Sequence, residues 1–75
     1  MNPRIEIDPQ IHHGMPVIRG TRVPVVSILG EIAEGMSREE VAQTYRVSIE
    51  DVVAAIAYAA DLVVDEQERL VHSTK

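Results

Sequence analysis

The sequence predicts a small, mainly α domain in which three helices follow a short N-terminal strand and turn segment. Three observations carry this. Aliphatic residues recur at helical spacing from Val25 onward. Two serines, Ser37 and Ser48, each stand three residues before an acidic one, which is the pattern of a capped helix start. Alternation of period two is confined to Arg4-Ile5-Glu6-Ile7-Asp8.

Residues 4–8 read as a half-buried strand with Ile5 and Ile7 inward, ended by Pro9. Residues 10–16, with His12-His13-Gly14-Met15-Pro16, read as a loop, and Val17-Ile18 resumes an apolar run. Arg19-Gly20-Thr21-Arg22 forms a tight turn in which Gly20 is free to take a positive φ. Val23 leads out, and Pro24 sits in the first turn of a helix, where its missing N–H costs nothing.

The first helix spans 25–34. Val25, Ile28, Leu29 and Ile32 share one face, and Gly35 supplies the left-handed stop. Gly30 inside it costs up to about 1 kcal/mol relative to Ala, which points to the close approach of another backbone. The box Ser37-Arg38-Glu39-Glu40 starts the second helix, 38–44, with Val41 and Ala42 buried. Tyr45-Arg46-Val47 separates it from a second cap, Ser48-Ile49-Glu50-Asp51. The short Asp51 makes this box the weaker of the two, although acids there suit the helix dipole. The third helix runs from 49 to roughly 68. Its apolar stripe is Ile49, Val52, Val53, Ile56, Ala59 or Ala60, and Val63. Ala54, Ala55, Ala57, Ala59 and Ala60 let a neighbour come close. The chain thus reads as one domain over 1–75: a β and turn segment at 3–24, a helical core at 25–70 and a frayed tail at 71–75.

Seventy-five residues leave room for one core. A chain this short buries only about 60% of its unfolded surface, and such chains usually add a disulfide, a metal or a partner chain. Cys, Phe and Trp are absent and Tyr occurs twice, so the core is aliphatic and disulfides are excluded. A partner chain, most simply a second copy, is the expected remedy. A globule of this length has a radius of gyration of about 11 Å and a diameter near 30 Å. A helix of about 20 residues is also about 30 Å long. The third helix therefore spans the domain, and Leu62, Val63 and Leu70 at its far end are expected to meet another protein.

The net charge of −5 argues against a general nucleic-acid coat protein, and the scarcity of aromatics against base stacking. Residues 1–30 carry Arg4, Arg19 and Arg22 against Glu6 and Asp8, a net +1. Residues 31–75 carry four basic and ten acidic residues, a net −6. Any basic face belongs to the N-terminal part. The N-terminus has no apolar leader core. The longest nearly apolar run, Val52 to Val64, is interrupted by Asp61 and falls short of the roughly 20 residues of a membrane span. A cytoplasmic protein without a membrane contact is expected.

Two capped helices separated by a three-residue turn match the helix-turn-helix outline. In a DNA reader the second helix enters the major groove with its N-terminal residues, here Ser48, Ile49, Glu50 and Asp51. The two carboxylates would repel phosphate, with only Arg46 nearby to compensate. Arg19 and Arg22 flank the Gly20 turn and offer planar forks of donors for phosphates or an acidic cleft. The alternative, which the sequence favours, is a structural role against Glu6, Asp8 or an acidic helix terminus. The DNA-contact candidates are Arg19, Arg22, Arg46 and Ser48. The candidates for partner or dimer contact are Ile5 and Ile7, through an edge strand pairing across a dimer, and Leu62, Val63, Arg69 and Leu70. Gly20, Gly35, Ser37 and Ser48 are turn and cap residues. Asp8, His12 and His13 do not make a metal site, because adjacent histidines rarely share one ion and His72 is remote. With no cysteine nucleophile, phosphate loop or zinc-spaced Glu–His motif, neither catalysis nor a cofactor is expected.

The run Gly14-Met15-Pro16-Val17-Ile18-Arg19-Gly20-Thr21-Arg22-Val23-Pro24-Val25 resembles the signature of the bacterial and archaeal domain of unknown function 433 family. That pattern is a Gly-x-Pro-x-Ile-x-Gly-Thr-Arg block, a short helix ending in Gly, then a Ser- or Thr-capped helix pair. Gly35-Met36-Ser37 and the Glu-Glu-Val that follows stand where it expects them, and the resemblance runs from about Ile5 to Glu68. Met15 departs from it, since Lys or Arg is expected there. The resemblance implies a homeodomain-like helical fold with an N-terminal strand region. It also implies similarity to antitoxins that bind a PIN-like ribonuclease toxin encoded by a neighbouring gene and repress their own operon, with no catalysis of their own.

Overall fold

The computed structural model describes residues 2–73. Strands β1 (Ile5–Glu6) and β2 (Val17–Ile18) precede helices α1 (Val25–Ala33), α2 (Arg38–Tyr45) and α3 (Ile49–Ser73). The chain is mainly α with a short N-terminal hairpin, the class its sequence predicts.

β1 and β2 pair antiparallel, with Ile5 opposite Ile18 and Glu6 opposite Val17. β2 is bonded on its other edge too: the Ile18 N–H donates to the Val23 carbonyl at 2.9 Å, and the Val25 N–H to the Pro16 carbonyl at 3.0 Å. Gly20, at φ +79°, turns the chain between them. The Thr21 hydroxyl holds that turn, donating to the Ile18 carbonyl at 2.7 Å and accepting from the Val23 N–H at 3.0 Å. The arrangement buries Ile5, Val17 and Ile18 almost completely.

The strand is shorter than the expected 4–8, and Ile7 does not turn inward; it is 44% exposed. After Glu6 the backbone leaves the ladder. The Asp8 carboxylate accepts from the Gln10 N–H at 2.8 Å and its carbonyl from Ile11 at 2.9 Å, which bends the chain away. His12, His13 and Gly14 follow with φ of +48°, +57° and +84°, a single left-handed 3-10 turn. Ile5 is equally unsuited to meet a partner, because it lies in the core opposite Ile18. β1 finds its strand partner within its own chain.

Pro24 precedes α1 rather than sitting inside it, and its carbonyl accepts from Ser27 at 3.1 Å. Val25 and Ile28 face the core, with Leu29 and Ile32 at its edge. Gly35, at φ +107°, ends the helix. Its N–H donates to the Ile32 carbonyl and that of Met36 to the Glu31 carbonyl, both at 3.0 Å. These crossed bonds satisfy carbonyls that a helix end leaves open. Gly30 does not mark a close approach: no heavy atom lies within 4 Å of where a Cβ would stand. Gly30→Ala is accordingly expected to raise stability by up to about 1 kcal/mol, which a urea titration would read as a higher midpoint at unchanged slope.

Ser37 starts α2 with a complete capping box. Its hydroxyl accepts from the Glu40 N–H at 3.0 Å, and the Glu40 carboxylate accepts from the Ser37 N–H at 2.8 Å. The Ser37 N–H foremost, and the Ser37 hydroxyl after it, hold the Glu40 carboxyl below its ordinary range. Ser37→Ala is expected to lower stability by about 1 kcal/mol, measured as a shift in the thermal midpoint of the helical circular-dichroism signal.

The core joins Ile5 and Ile18 of the hairpin to Val25 and Ile28 of α1, Val41 and Ala42 of α2, and Val52, Ala54 and Ala55 of α3. The core face of α3 is thus narrower than the sequence stripe. Ile49, Val53 and Val63 are exposed, and Ala54 is buried in their stead. The helix also passes its expected end near 68. Residues 65–71, Asp-Glu-Gln-Glu-Arg-Leu-Val, contain no Gly or Pro to break it, and most are good helix formers. Residues 71–73 are helical rather than frayed, and the rest of the expected tail, Thr74 and Lys75, lies outside the described residues. Twenty-five residues make a rod about 37 Å long. The radius of gyration is 13.6 Å, and the extents are 46 × 31 × 18 Å. The compact globule expected near 11 Å is therefore exceeded by the overhang of α3.

Candidate functional site

Two surfaces gather the residues that the sequence singles out. One is the hairpin face that bears the arginines, and the other is the projecting half of α3.

On the hairpin face, Arg19 is exposed, but its Nε donates to the Pro3 carbonyl at 2.6 Å. Its backbone N–H donates to the Arg4 carbonyl at 2.8 Å, so it ties the N-terminal segment to β2. Arg22 stands across the turn, exposed, beside Pro9, Gln10, His12 and His13 in a shallow open recess. Among the described residues no three metal-ligating side chains gather.

Arg46 and Ser48 lie in the turn between α2 and α3. Arg46 takes the left-handed conformation, φ +58° and ψ +43°, which closes α2. Its N–H reaches the Gln43 carbonyl at 3.3 Å, and the Val47 N–H reaches that of Ala42 at 3.0 Å. The side chain is thereby thrown outward and is exposed. Ser48 caps α3: its hydroxyl accepts from the Asp51 N–H at 3.0 Å, and the Asp51 carboxylate accepts from the Ser48 N–H at 3.1 Å. Both hydrogen bonds of the box expected to be the weaker of the two are present.

The same carboxylate accepts from the Arg4 guanidinium at 3.0 Å. An arginine does pair with an acidic helix terminus, but it is Arg4, not Arg19 or Arg22. Burial alone would push the Asp51 carboxyl up. The Ser48 backbone N–H, Arg4 and the Ser48 hydroxyl together outweigh it and hold the carboxyl below its ordinary range. The folded state therefore favours the charged form. The resulting stability is present at neutral pH and is lost as pH falls through and below the ordinary carboxylate range of about 4. A pH series of thermal midpoints should be flat from 7 to 5 in this respect and fall below about 4. In Asp51→Asn the Asp51 share of that fall should vanish.

Arg4 and Asp51 form the connection that sequence reasoning missed. They are 47 residues apart. The only available signal was the first turn of α3, whose Glu50 and Asp51 lacked a cation nearby in sequence other than Arg46. A second unforeseen contact joins α1 to α2, where the Tyr45 hydroxyl donates to the Glu31 carboxylate at 3.2 Å. Desolvation and that carboxylate push the phenol upward from its usual value.

The second surface is the far half of α3. Leu62 is 51% exposed and Val63 65%. They continue the helix face that buries Val52 and Ala55, beyond the point where the rest of the chain can cover it. Leu70 extends the same face and is also exposed. Arg69 is bonded to Glu66 at 2.6 Å within the helix and keeps most of its surface open. None of the described helices is long and apolar enough to cross a membrane.

The family model described as "Protein of unknown function (DUF433)" matches residues 5–59, from β1 through the part of α3 that packs on the body. A crystal structure of a DUF433 member protein from Anabaena variabilis superposes with a TM-score of 0.74 at 28% identity, over 95% of this chain and 70% of that one. The crystal structure of Rv2018 from Mycobacterium tuberculosis superposes with a TM-score of 0.64 at 31% identity, over 69% of this chain. The present chain spans only 24% of that longer protein. No curated protein matches significantly. The matched segment holds the Gly20 turn, both serine caps and the start of α3. The chain belongs to the DUF433 family of proteins of unknown function.

Proposed function

We propose that this protein is an antitoxin-like, non-catalytic binding module of the cytoplasm. It works as a homodimer, holds a PIN-like ribonuclease toxin, and represses its own operon through the α2–α3 pair. The observation that carries this reading is the overhang of α3. A helix with leucine and valine on the continuation of its core face, beyond its own core, is built to be completed by another protein. The acidic balance of α3, with Glu50, Asp51, Asp61, Asp65, Glu66 and Glu68 against Arg69, suits a basic partner.

The test is co-purification of the tagged chain with the product of the adjacent gene, identified by mass. A stoichiometric complex is expected, and Leu62→Asp with Val63→Asp should abolish it while leaving the melting curve in place. A soluble, well-expressed neighbour that never co-purifies would sink the toxin reading.

A second reading, a DNA-binding regulator without a toxin, draws on the hairpin arginines. Glu50 and Asp51 at the start of α3 oppose phosphate, so contact would fall to Arg19, Arg22 and Arg46. Each phosphate contact contributes about 0.9 to the slope of log K against log salt. Loss of one arginine should flatten that slope by about 1. An unchanged slope in all three alanine variants would remove this surface from consideration.

A further inference from the structure

Arg22 differs from the other arginines of the chain. Arg4 is bonded to Asp51, Arg69 to Glu66, and the Nε of Arg19 to the Pro3 carbonyl. Arg38 is followed directly by Glu39 and Glu40, and Arg46 stands in the turn that leads to Glu50 and Asp51. Arg22 is exposed, and no hydrogen bond or ion pair joins its side chain to any described residue. It also lies in the longest stretch without a carboxylate. Residues 9–30 contain no Asp or Glu, in a chain that has twelve.

The fold brings two imidazoles to this cation. Pro9, Gln10, His12, His13 and Arg22 line one open recess of about 480 Å³. His12 and His13 are exposed and are held at φ +48° and +57°, a region uncommon for residues other than glycine. Three backbone bonds fix that turn. The Ile11 N–H donates to the Asp8 carbonyl at 2.9 Å, and the Gly14 and Met15 N–H groups donate to the Ile11 and His12 carbonyls at 3.0 Å. The nearest acid in sequence, Asp8, does not line the recess, and its carboxylate already accepts from the Gln10 N–H at 2.8 Å. The recess therefore gathers donors without a competing carboxylate. They are a guanidinium fork, the Gln10 amide, and two imidazoles with one N–H each when neutral and two when protonated.

We infer that this recess is a phosphate site, in which Arg22 pairs two oxygens through its planar fork and His12 and His13 donate to the others. A carboxylate has only two oxygens, which Arg22 alone would fill. A phosphate group presents more acceptors, and that suits a site with donors on three further side chains. Because the recess is open, it receives the phosphate head and leaves the rest of the ligand in solvent. Free phosphate and the backbone phosphate of a nucleic acid share this chemistry. The inference rests on neither toxin capture nor DNA binding, since inorganic phosphate alone tests it.

Inorganic phosphate is the probe, titrated into the whole chain at fixed pH and ionic strength. The chain has three histidines, so its imidazole NMR spectrum holds three sets of signals, and His72, near the end of α3, is the internal reference. The His12 and His13 signals should move saturably while those of His72 stay in place. Acetate at the same ionic strength should move them far less. Arg22→Ala should weaken phosphate at least about tenfold, the loss expected of one charge-assisted hydrogen bond. His12→Asn with His13→Asn keeps a residue type that tolerates the left-handed backbone. It should also weaken the response, read at the Arg22 Nε–H signal. A DNA duplex without terminal phosphates separates the sources: movement of the same two histidines assigns the site to a backbone phosphate, and no movement assigns it to a free phosphate group. The latter result counts against the DNA reading and leaves the site in place. No saturable movement with phosphate, equal movement with acetate, or a response that survives Arg22→Ala would overturn the site.

Discussion

Ile28→Ala is expected to remove a large part of the protein's stability, about 2–5 kcal/mol. Ile28 is fully buried in α1, among Ile18, Val41 and Val52 of the same core. Truncation of a buried isoleucine costs about 2–5 kcal/mol, through lost burial and the cavity left behind. Typical stabilities of roughly 0.05–0.15 kcal/mol per residue place a chain of this length at about 4–11 kcal/mol in total. One side chain thus represents a large part of the whole. No aromatic residue lies among the fully buried side chains to take up the space. Ile28→Val, which removes one methyl group, should cost about 1 kcal/mol and keep the fold. Urea titrations of the pair, followed by circular dichroism, give the comparison. Similar midpoints for the two variants would mean that the site collapses around the loss.

The next largest effect is expected at Asp51. Its carboxylate accepts from both the Ser48 N–H and Arg4, and its own N–H is capped by Ser48. Asp51→Ala leaves the Ser48 N–H without its partner at the start of the longest helix and frees Arg4, a loss of about 2–3 kcal/mol. The ion pair is the minor share. Arg4 is half exposed, and such pairs contribute about 0.5 kcal/mol after solvent screening. The expected order of damage is therefore Asp51→Ala, then Ser48→Ala, then Arg4→Ala. A double-mutant cycle between Arg4 and Asp51 should give a coupling well below the cost of Asp51→Ala alone. A coupling equal to that cost would make the salt bridge, not the cap, the main interaction.

The helices were legible because their signals are local. Gly35, Ser37 and Ser48 act within four residues of themselves, and each does in the structure what its sequence context predicts. The hairpin was legible at Gly20 for the same reason. Ile7 was misplaced because alternation predicts a face only while a strand continues, and Asp8 ends this one early. Gly30 was misread because glycine in a helix is equally compatible with close packing and with an empty surface. On α3 the sequence stripe merged two faces, since a helix apolar all round gives no direction to its core. For Arg4–Asp51 the sequence shows only that the acids at the start of α3 lack a cation nearby; which arginine supplies it is set by the fold, across 47 residues. Of the proposed contact residues, Leu62 and Val63 were found from helix length, an argument that needs only the rise per residue.

The reach of Arg4 to Asp51 also bears on how the chain folds. The contacts among α1, α2 and α3 close short loops, while the hairpin must return across 47 residues to latch onto α3. Closing a long loop is slow to reward its entropy cost. The helical segment is thus expected to assemble first, with residues 2–6 docking after the main barrier. Arg4→Ala should then speed unfolding and leave the refolding rate nearly unchanged, a φ-value near zero. In native-state hydrogen exchange the backbone amides of this N-terminal stretch should open well before those of α2 and the first half of α3. The N-terminus would then behave as a clasp, the last part to fasten and the first to release.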